Sequence, residues 1–349
     1  MQACLGWRAT RLALLLAGLL GAGDAAAVEL GSDVELHAFG SQDYAQTTDN
    51  AYLGASRKGT WDDNFLGLVT AVTITQKSKL WAQLETSNSD GTRFTWAFVD
   101  YEFSDNIQLH VGRVRFPLGL YNEIIDTKLL QLSSIEPSIY QTAADFVHDS
   151  YTGAGFDYRK SVLGGSILVQ VYGGQPYDPD NSRSLHDRNM YGSRLTYDTP
   201  LSGLRFMASF FRGHVEIVST AASVPEQRII LSADYQSNDW DAKAEFATHH
   251  FLGVSSNGYY LQLGRTFLDK WVPFARYEVV NLDRARQNAS FSQKATVFGL
   301  GYKIISNVAV RAEAHLNRGY ALPVASGEIQ PGAGVPNWTL FVVGIHFTF

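Results

Sequence analysis

From residue 33 to the C-terminus, apolar and polar residues alternate with a period of two, in segments of about ten residues separated by turn-forming residues. In 308–317, Val308, Val310, Ala312, Ala314 and Leu316 share one face, and Arg311, Glu313, His315 and Asn317 share the other. In 240–250, Trp240, Ala242, Ala244 and Phe246 alternate with Asp241, Lys243 and Glu245. In 79–88, Leu80, Ala82 and Leu84 alternate with Lys79, Trp81, Gln83 and Glu85. Sixteen such strands are predicted, from 33–41 and 64–75 through to 308–317 and 338–349. A soluble sandwich would bury its apolar faces between two sheets. Sixteen evenly spaced strands, with Tyr and Phe at many of their ends, instead predict an all-β antiparallel transmembrane barrel with a wet interior.

The breaks between strands alternate in length. Gln76-Lys77-Ser78, Ser104-Asp105-Asn106, Ser237-Asn238-Asp239, Leu268-Asp269-Lys270 and Ser306-Asn307 suit tight hairpins. The breaks at 42–60, 116–150, 176–187, 214–227, 282–293 and 319–336 are longer. Short turns at one rim and long loops at the other are the asymmetry of outer-membrane barrels, whose turns are periplasmic. The break at 116–150 is the longest, and a structureless loop of that length is uncommon in a compact domain. It is therefore expected to fold into the lumen.

Residues 1–27 read as a cleavable export leader, with Arg8 and Arg11, an apolar run from Leu12 to Leu20, and Ala25-Ala26-Ala27 before the cut. Residues 28–349 are then the barrel, with Val28 first, delivered through the periplasm. The single Cys, Cys4, belongs to the leader, so no disulfide holds the barrel. The chain has 17 Tyr, 20 Phe and 7 Trp but only 10 Pro, and a net charge of −6. Without the leader the balance is 26 basic to 33 acidic residues, which argues against nucleic acid as a partner.

The stretch Val111-Gly112-Arg113-Val114-Arg115-Phe116-Pro117-Leu118-Gly119-Leu120-Tyr121-Asn122-Glu123 resembles proteobacterial outer-membrane porins. So does the preceding Phe98-Val99-Asp100-Tyr101-Glu102-Phe103-Ser104. The final stripe Phe341, Val343, Ile345, Phe347 and Phe349 resembles the signal read by the outer-membrane assembly machinery. The resemblance implies a water-filled barrel in the outer membrane, surrounded by lipid and lipopolysaccharide and commonly a homotrimer. It implies passive diffusion of small hydrophilic solutes and ions, without covalent chemistry, cofactor or metal.

On that reading the third loop supplies a constriction from Glu123, Asp126, Glu136 and Asp145, with Arg113 and Arg115 at its entry. Arg159, Arg194, Arg276, Arg311, Asp100 and Glu102 line the wall, an acidic loop facing a basic wall. Strict alternation points Arg113 and Arg115 outward; either a bulge at Gly112 turns them inward, the reading adopted here, or both lie above the hydrocarbon band. Arg265 is expected at the interface beside a turn, and Thr296 is taken as inward. Two other classes stay open. His249, His250, Ser255 and Ser256 hold the ingredients of a lipid-modifying enzyme without its spacing, and Trp81, Phe94, Trp96 and Phe98 would fill the lumen of a plugged structural or adhesive barrel.

Overall fold

The computed structural model describes residues 28–29, 33–88, 91–141, 149–177, 185–286 and 288–349. The leader and Asp145 lie outside the described residues. The strands are β1 (Val28–Glu29), β2 (Val34–Thr47), β3 (Asn64–Thr75), β4 (Ser78–Ser87), β5 (Gly91–Ser104), β6 (Ile107–Arg115), β7 (Ser150–Val162), β8 (Gly165–Pro176), β9 (Leu185–Asp198), β10 (Leu204–Ile217), β11 (Ala222–Gln236), β12 (Trp240–Phe251), β13 (Val254–Arg265), β14 (Trp271–Asn281), β15 (Ser292–Ile305), β16 (Val308–Arg318) and β17 (Asn337–Thr348).

Each of β2 to β17 pairs antiparallel with its sequence neighbours, and β17 pairs with β2 from Leu340↔Thr47 to Thr348↔Phe39. The result is a closed barrel of sixteen strands, which leaves no edge exposed to lipid. Phe349 completes the seam: its N–H donates to the Ala38 carbonyl at 2.6 Å, and its carbonyl accepts from the Ala38 N–H at 2.9 Å. The two-residue β1 continues along the same edge of β2, with Val28 opposite Leu36.

The alternation sorts the two faces as charge and hydrocarbon require. Leu263, Leu316 and Phe298 point outward with 48%, 47% and 55% exposure, while Arg276 and Glu313 point inward and are buried. Thr296 corrects the expectation made for it. It is directly paired with Tyr277 and Leu316, so it faces outward; as a small polar residue among apolar neighbours it carried no clear side preference.

Strands run further than alternation implied at the loop rim. β2 continues to Thr47, and β10 and β11 meet at residues 218–221, so the break expected at 214–227 is a short turn. His214, Glu216 and Gln227 read as loop residues, yet above the hydrocarbon polar side chains are solvated on either face and pairing continues. β12 and β13 join through Leu252 and Gly253, at φ 51° and 75°, a two-residue turn of the hairpin type.

The third loop and the lumen

Residues 116–141 enter the barrel rather than projecting from it. Phe116 lies 5.0 Å from the ring of Tyr151 and 5.7 Å from those of Tyr172 and Phe211, anchoring the loop's start on the wall. From there Leu118, Tyr121, Ile135, Ile139 and Tyr140 pack with Tyr260, Trp338 and Leu340 in one buried apolar cluster. Gly119 holds φ +64°, and a side chain there would run into Tyr140 and Glu245.

A loop inside a barrel must satisfy its backbone polar groups on the wall. The wall carries a repeated device for this on three outgoing strands: Lys243-Ala244-Glu245 in β12, Arg276-Tyr277-Glu278 in β14 and Arg311-Ala312-Glu313 in β16. The three glutamates accept from the loop. Glu245 takes the Leu120 N–H at 2.9 Å and the Tyr140 hydroxyl at 2.6 Å. Glu278 takes the Ser138 N–H at 3.0 Å, and Glu313 takes the Ser134 N–H at 2.5 Å and the Ser133 hydroxyl at 2.6 Å. Two of the bases donate to loop carbonyls: Arg276 to Ile135 at 3.1 Å, and Arg311 to Lys128 and Leu129 at 2.7 and 3.0 Å. Lys243 turns instead to Asp241 at 2.5 Å.

Ion pairs complete the anchorage. Lys128 donates to Asp43 at 2.7 Å and to Asp63 at 3.0 Å. Burial works against its charge, but the two carboxylates outweigh burial and hold its pKa above the ordinary lysine range. Glu123 accepts both terminal nitrogens of Arg194, at 2.9 and 3.0 Å. Asp126 pairs with Arg115 and accepts from Gln83 at 2.6 Å.

Most of the loop's backbone hydrogen bonds to the wall go to β12, β14 and β16, and space remains against the opposite wall. A cavity of about 270 Å³ remains between Arg115, Pro117 and Glu123 on the loop side and β5–β8, lined there by Trp96, Phe98, His110, Asp157 and Gln170. Beside β14–β17 lies a crevice of about 10 Å³, between Ile135 and Ser138 of the loop and Glu278 and His315 of the wall.

Neither a protein-family model nor a curated protein sequence matches the chain. Solved structures do. OmpF of Salmonella typhi, in complex with daunomycin, superposes with a TM-score of 0.62 at 14% identity, over 93% of this chain and all of that one (100%). An anion-selective porin from Comamonas acidovorans gives 0.61 at 14%, over 90% and 99% of the two chains. OmpT of Vibrio cholerae gives 0.60 at 11%, over 93% and 100%. The fold is the outer-membrane porin fold. This porin-type barrel is of the kind that lies in the Gram-negative outer membrane.

Within the porin fold the sequence-predicted residues separate into distinct places. Arg115, Glu123 and Asp126 are brought together beside the cavity, with Arg194 behind Glu123. Glu136 is partly buried in the loop and does not line the cavity, and burial raises its carboxyl pKa. Arg276 and Arg311 are covered by the loop they hold. Asp100 lies 2.5 Å from His110, which also reaches Asp157 at 3.4 Å, so these line the β5–β8 side. Glu102 and Arg159 stand exposed near the turn rim.

Arg113 departs from its expected place. Gly112 has φ +135°, but pairing runs through it without a register shift, from Val99↔Val111 to Ala97↔Arg113 and on β7 from Val111↔Ala154 to Arg113↔Thr152. No bulge turns Arg113 inward. Its guanidinium lies 3.6 Å from the Tyr177 ring centre and donates to the Phe94 carbonyl, above the hydrocarbon band on the outer face. Arg115, the last strand residue, turns in with the loop and donates to the Asn122 carbonyl at 2.9 Å.

The bulge sits elsewhere. Pairing skips Thr95, between Gln83↔Trp96 and Leu84↔Phe94. The skip sends Trp96 and Phe98 toward the cavity and leaves Phe94 outside with 58% exposure. The polar residues of the β12–β13 hairpin divide between faces. His250 lies 3.0 Å from Ser255 at the outer rim, while His249 points inward to Glu226 at 3.3 Å and Ser256 donates to the Leu282 carbonyl at 2.7 Å.

Proposed function

We propose that the protein is a passive channel for small hydrophilic solutes and ions, whose route runs between the third loop and β5–β8. The observation that carries this reading is the space left between the loop and β5–β8. The loop's polar backbone and acidic side chains are satisfied by β2, β4, β6, β9, β12, β14 and β16, while that space is lined by partly exposed polar groups and by Trp96 and Phe98. Water and small polar solutes tolerate such a lining, and no step of covalent chemistry is assigned to it. The neighbours include porins by name, which agrees with a channel.

One observation favours a second reading. The buried apolar cluster spans the lumen from Trp338 and Leu340 through the loop to Tyr151 and Tyr172, as a plug would. Conductance in a planar bilayer separates the two. A channel gives discrete steps, and a plugged barrel gives none. The route is tested with Phe98→Cys against Gln293→Cys, because the one native Cys, Cys4, precedes the barrel. A bulky thiol reagent should reduce the current through the Phe98→Cys pore and leave that of Gln293→Cys unchanged. Block of the second alone would place the route on the other side of the loop.

A further inference from the structure

We propose that the wall side of the cavity binds a small methylated ammonium ion, held against the rings of Trp96 and Phe98. The inference rests on the reading of this cavity as the solute route, and it names a class of solute that pauses there. The two rings come from alternate residues of β5, both sent to the cavity by the bulge at Thr95. Their centres lie 5.6 Å apart and their planes are inclined by 44°, so they offer two tilted faces rather than one flat stack. His110 meets Phe98 nearly edge-on, at 5.9 Å and 75°, and supports the tilt of that ring.

The charges around the rings select a cation. Arg115 is matched by Asp126 and Arg194 by Glu123, one to one. His110 instead lies between two carboxylates, Asp100 at 2.5 Å and Asp157 at 3.4 Å. That trio is net negative whether or not the imidazole carries a proton. An aromatic face attracts a cation through its quadrupole, Trp most strongly, and the attraction grows as water is displaced. The polar groups of the wall are already engaged with one another. Asp157 accepts from Gln170 at 3.0 and 3.2 Å, and the Gln170 side-chain carbonyl accepts from Arg194 at 2.7 Å. A primary ammonium would have to draw these acceptors from their donors to satisfy its N–H groups. A fully methylated ammonium has no N–H to satisfy and turns an apolar surface to the rings while keeping its charge. The cavity of about 270 Å³ lies just below the roughly 300–1,000 Å³ of pockets for drug-sized ligands, which suits a compact ion.

The probe is choline, set against its neutral isostere with carbon in place of nitrogen and against ethanolamine. Each is titrated calorimetrically into the full barrel in maltoside detergent. Wild type should bind choline about tenfold more tightly than either comparison compound. Trp96→Leu should lower choline affinity about tenfold, and Trp96→Phe, which restores a ring face, should recover most of it. Asp157→Asn should weaken choline roughly threefold and leave the isostere unchanged. Phe298→Leu, on the lipid face, should alter neither. Heat-shifted mobility on gels shows that each variant has folded, and Asp157→Asn carries the test if Trp96→Leu does not fold. In planar bilayers choline should reduce the potassium current through wild type at concentrations where the isostere does not. Equal binding of choline and the isostere would overturn the cation, and tighter binding of ethanolamine would overturn the methylated class. Unchanged affinity in Trp96→Leu would overturn the rings as the site. A barrel that binds choline but passes no current would overturn the channel reading and leave the site standing. A conducting barrel that neither binds choline nor is slowed by it would overturn the site alone.

Discussion

Lys128 Nζ lies 2.7 Å from Asp43 and 3.0 Å from Asp63, tying the middle of the third loop to β2 and to the segment that follows it. Asp43 is fully buried, and its other partner is His346 at 2.9 Å. Removing the lysine leaves a buried carboxylate without its main counter-charge, a change that costs about 3–5 kcal/mol. Lys128→Met is therefore expected to lower barrel stability by that order, measured by reversible unfolding in lipid vesicles, and to make the open-channel current noisier. A variant with wild-type stability and a quiet current would show that the loop is held by its backbone contacts alone.

The same pair sets a pH window. A base whose folded pKa is raised contributes its full stabilisation below the unfolded value, about 10.4 for lysine, and loses it as pH rises through the folded value. The stability difference between wild type and Lys128→Met should thus stay constant between about pH 6 and pH 9 and shrink above about pH 10.5. Unfolding titrations across that range check it. A difference that vanished already near neutrality would mean that Lys128 is not the charged partner.

The face assignment makes a quantitative claim. Leu261 is exposed on the lipid side of β13, and Gln170 lines the cavity from β8. A lysine at mid-depth in hydrocarbon costs about 2–4 kcal/mol, whereas one in a wet lumen beside Asp157 costs little. Leu261→Lys should be destabilised by that amount relative to Gln170→Lys, in vesicle unfolding experiments. Equal losses would contradict the register of β8 or β13.

Much of the barrel was legible because lipid and water impose opposite demands on alternate residues. Val310, Ala312 and Ala314 could only face out, and Arg311 and Glu313 only in. Thr296 lacked that contrast and was misplaced. Arg113 enters the constriction only through a bulge at Gly112, and without one it takes the alternative place beyond the hydrocarbon, where an outward arginine is solvated and stacks on Tyr177. The bulge at Thr95 leaves no mark in a sequence where Phe94, Trp96 and Phe98 are all aromatic. The loop's docking did have a signal, the basic-x-Glu repeat of β12, β14 and β16. Its meaning depends on strand register, which aligns those glutamates against loop N–H groups that sequence alone does not locate.

The C-terminal strand joins assembly to closure. Phe349 makes two backbone hydrogen bonds to Ala38, its ring lies 5.6 Å from that of Phe347, and Phe347 in turn covers Gly40. Deleting Phe349 removes both seam bonds, and Phe349→Ala removes only the ring. The deletion should lower the yield of heat-modifiable folded protein in membranes more than the substitution does. Identical losses would assign the residue's role to side-chain recognition during insertion, and unchanged yields for both would remove it from assembly altogether.

Selectivity tests whether the loop charges border the route. Glu123 is half exposed toward the cavity (50% of its side chain), whereas Arg194 behind it is buried (5%) and holds it in place. Loop acids paired in this way contribute less field than their formal charge suggests, so the wild-type pore should prefer cations only modestly. Glu123→Gln leaves the Arg194 charge uncompensated beside the passage and should move the reversal potential under a salt gradient toward anions. Arg194→Gln should move it toward cations. Both shifts should weaken as salt rises, since charges in water are screened over roughly 8–10 Å near physiological ionic strength. Shifts of the same sign would indicate that the substitutions act by moving the loop rather than through charge. No shift in either variant would put the conducting route away from Glu123, and with it away from the β5–β8 wall.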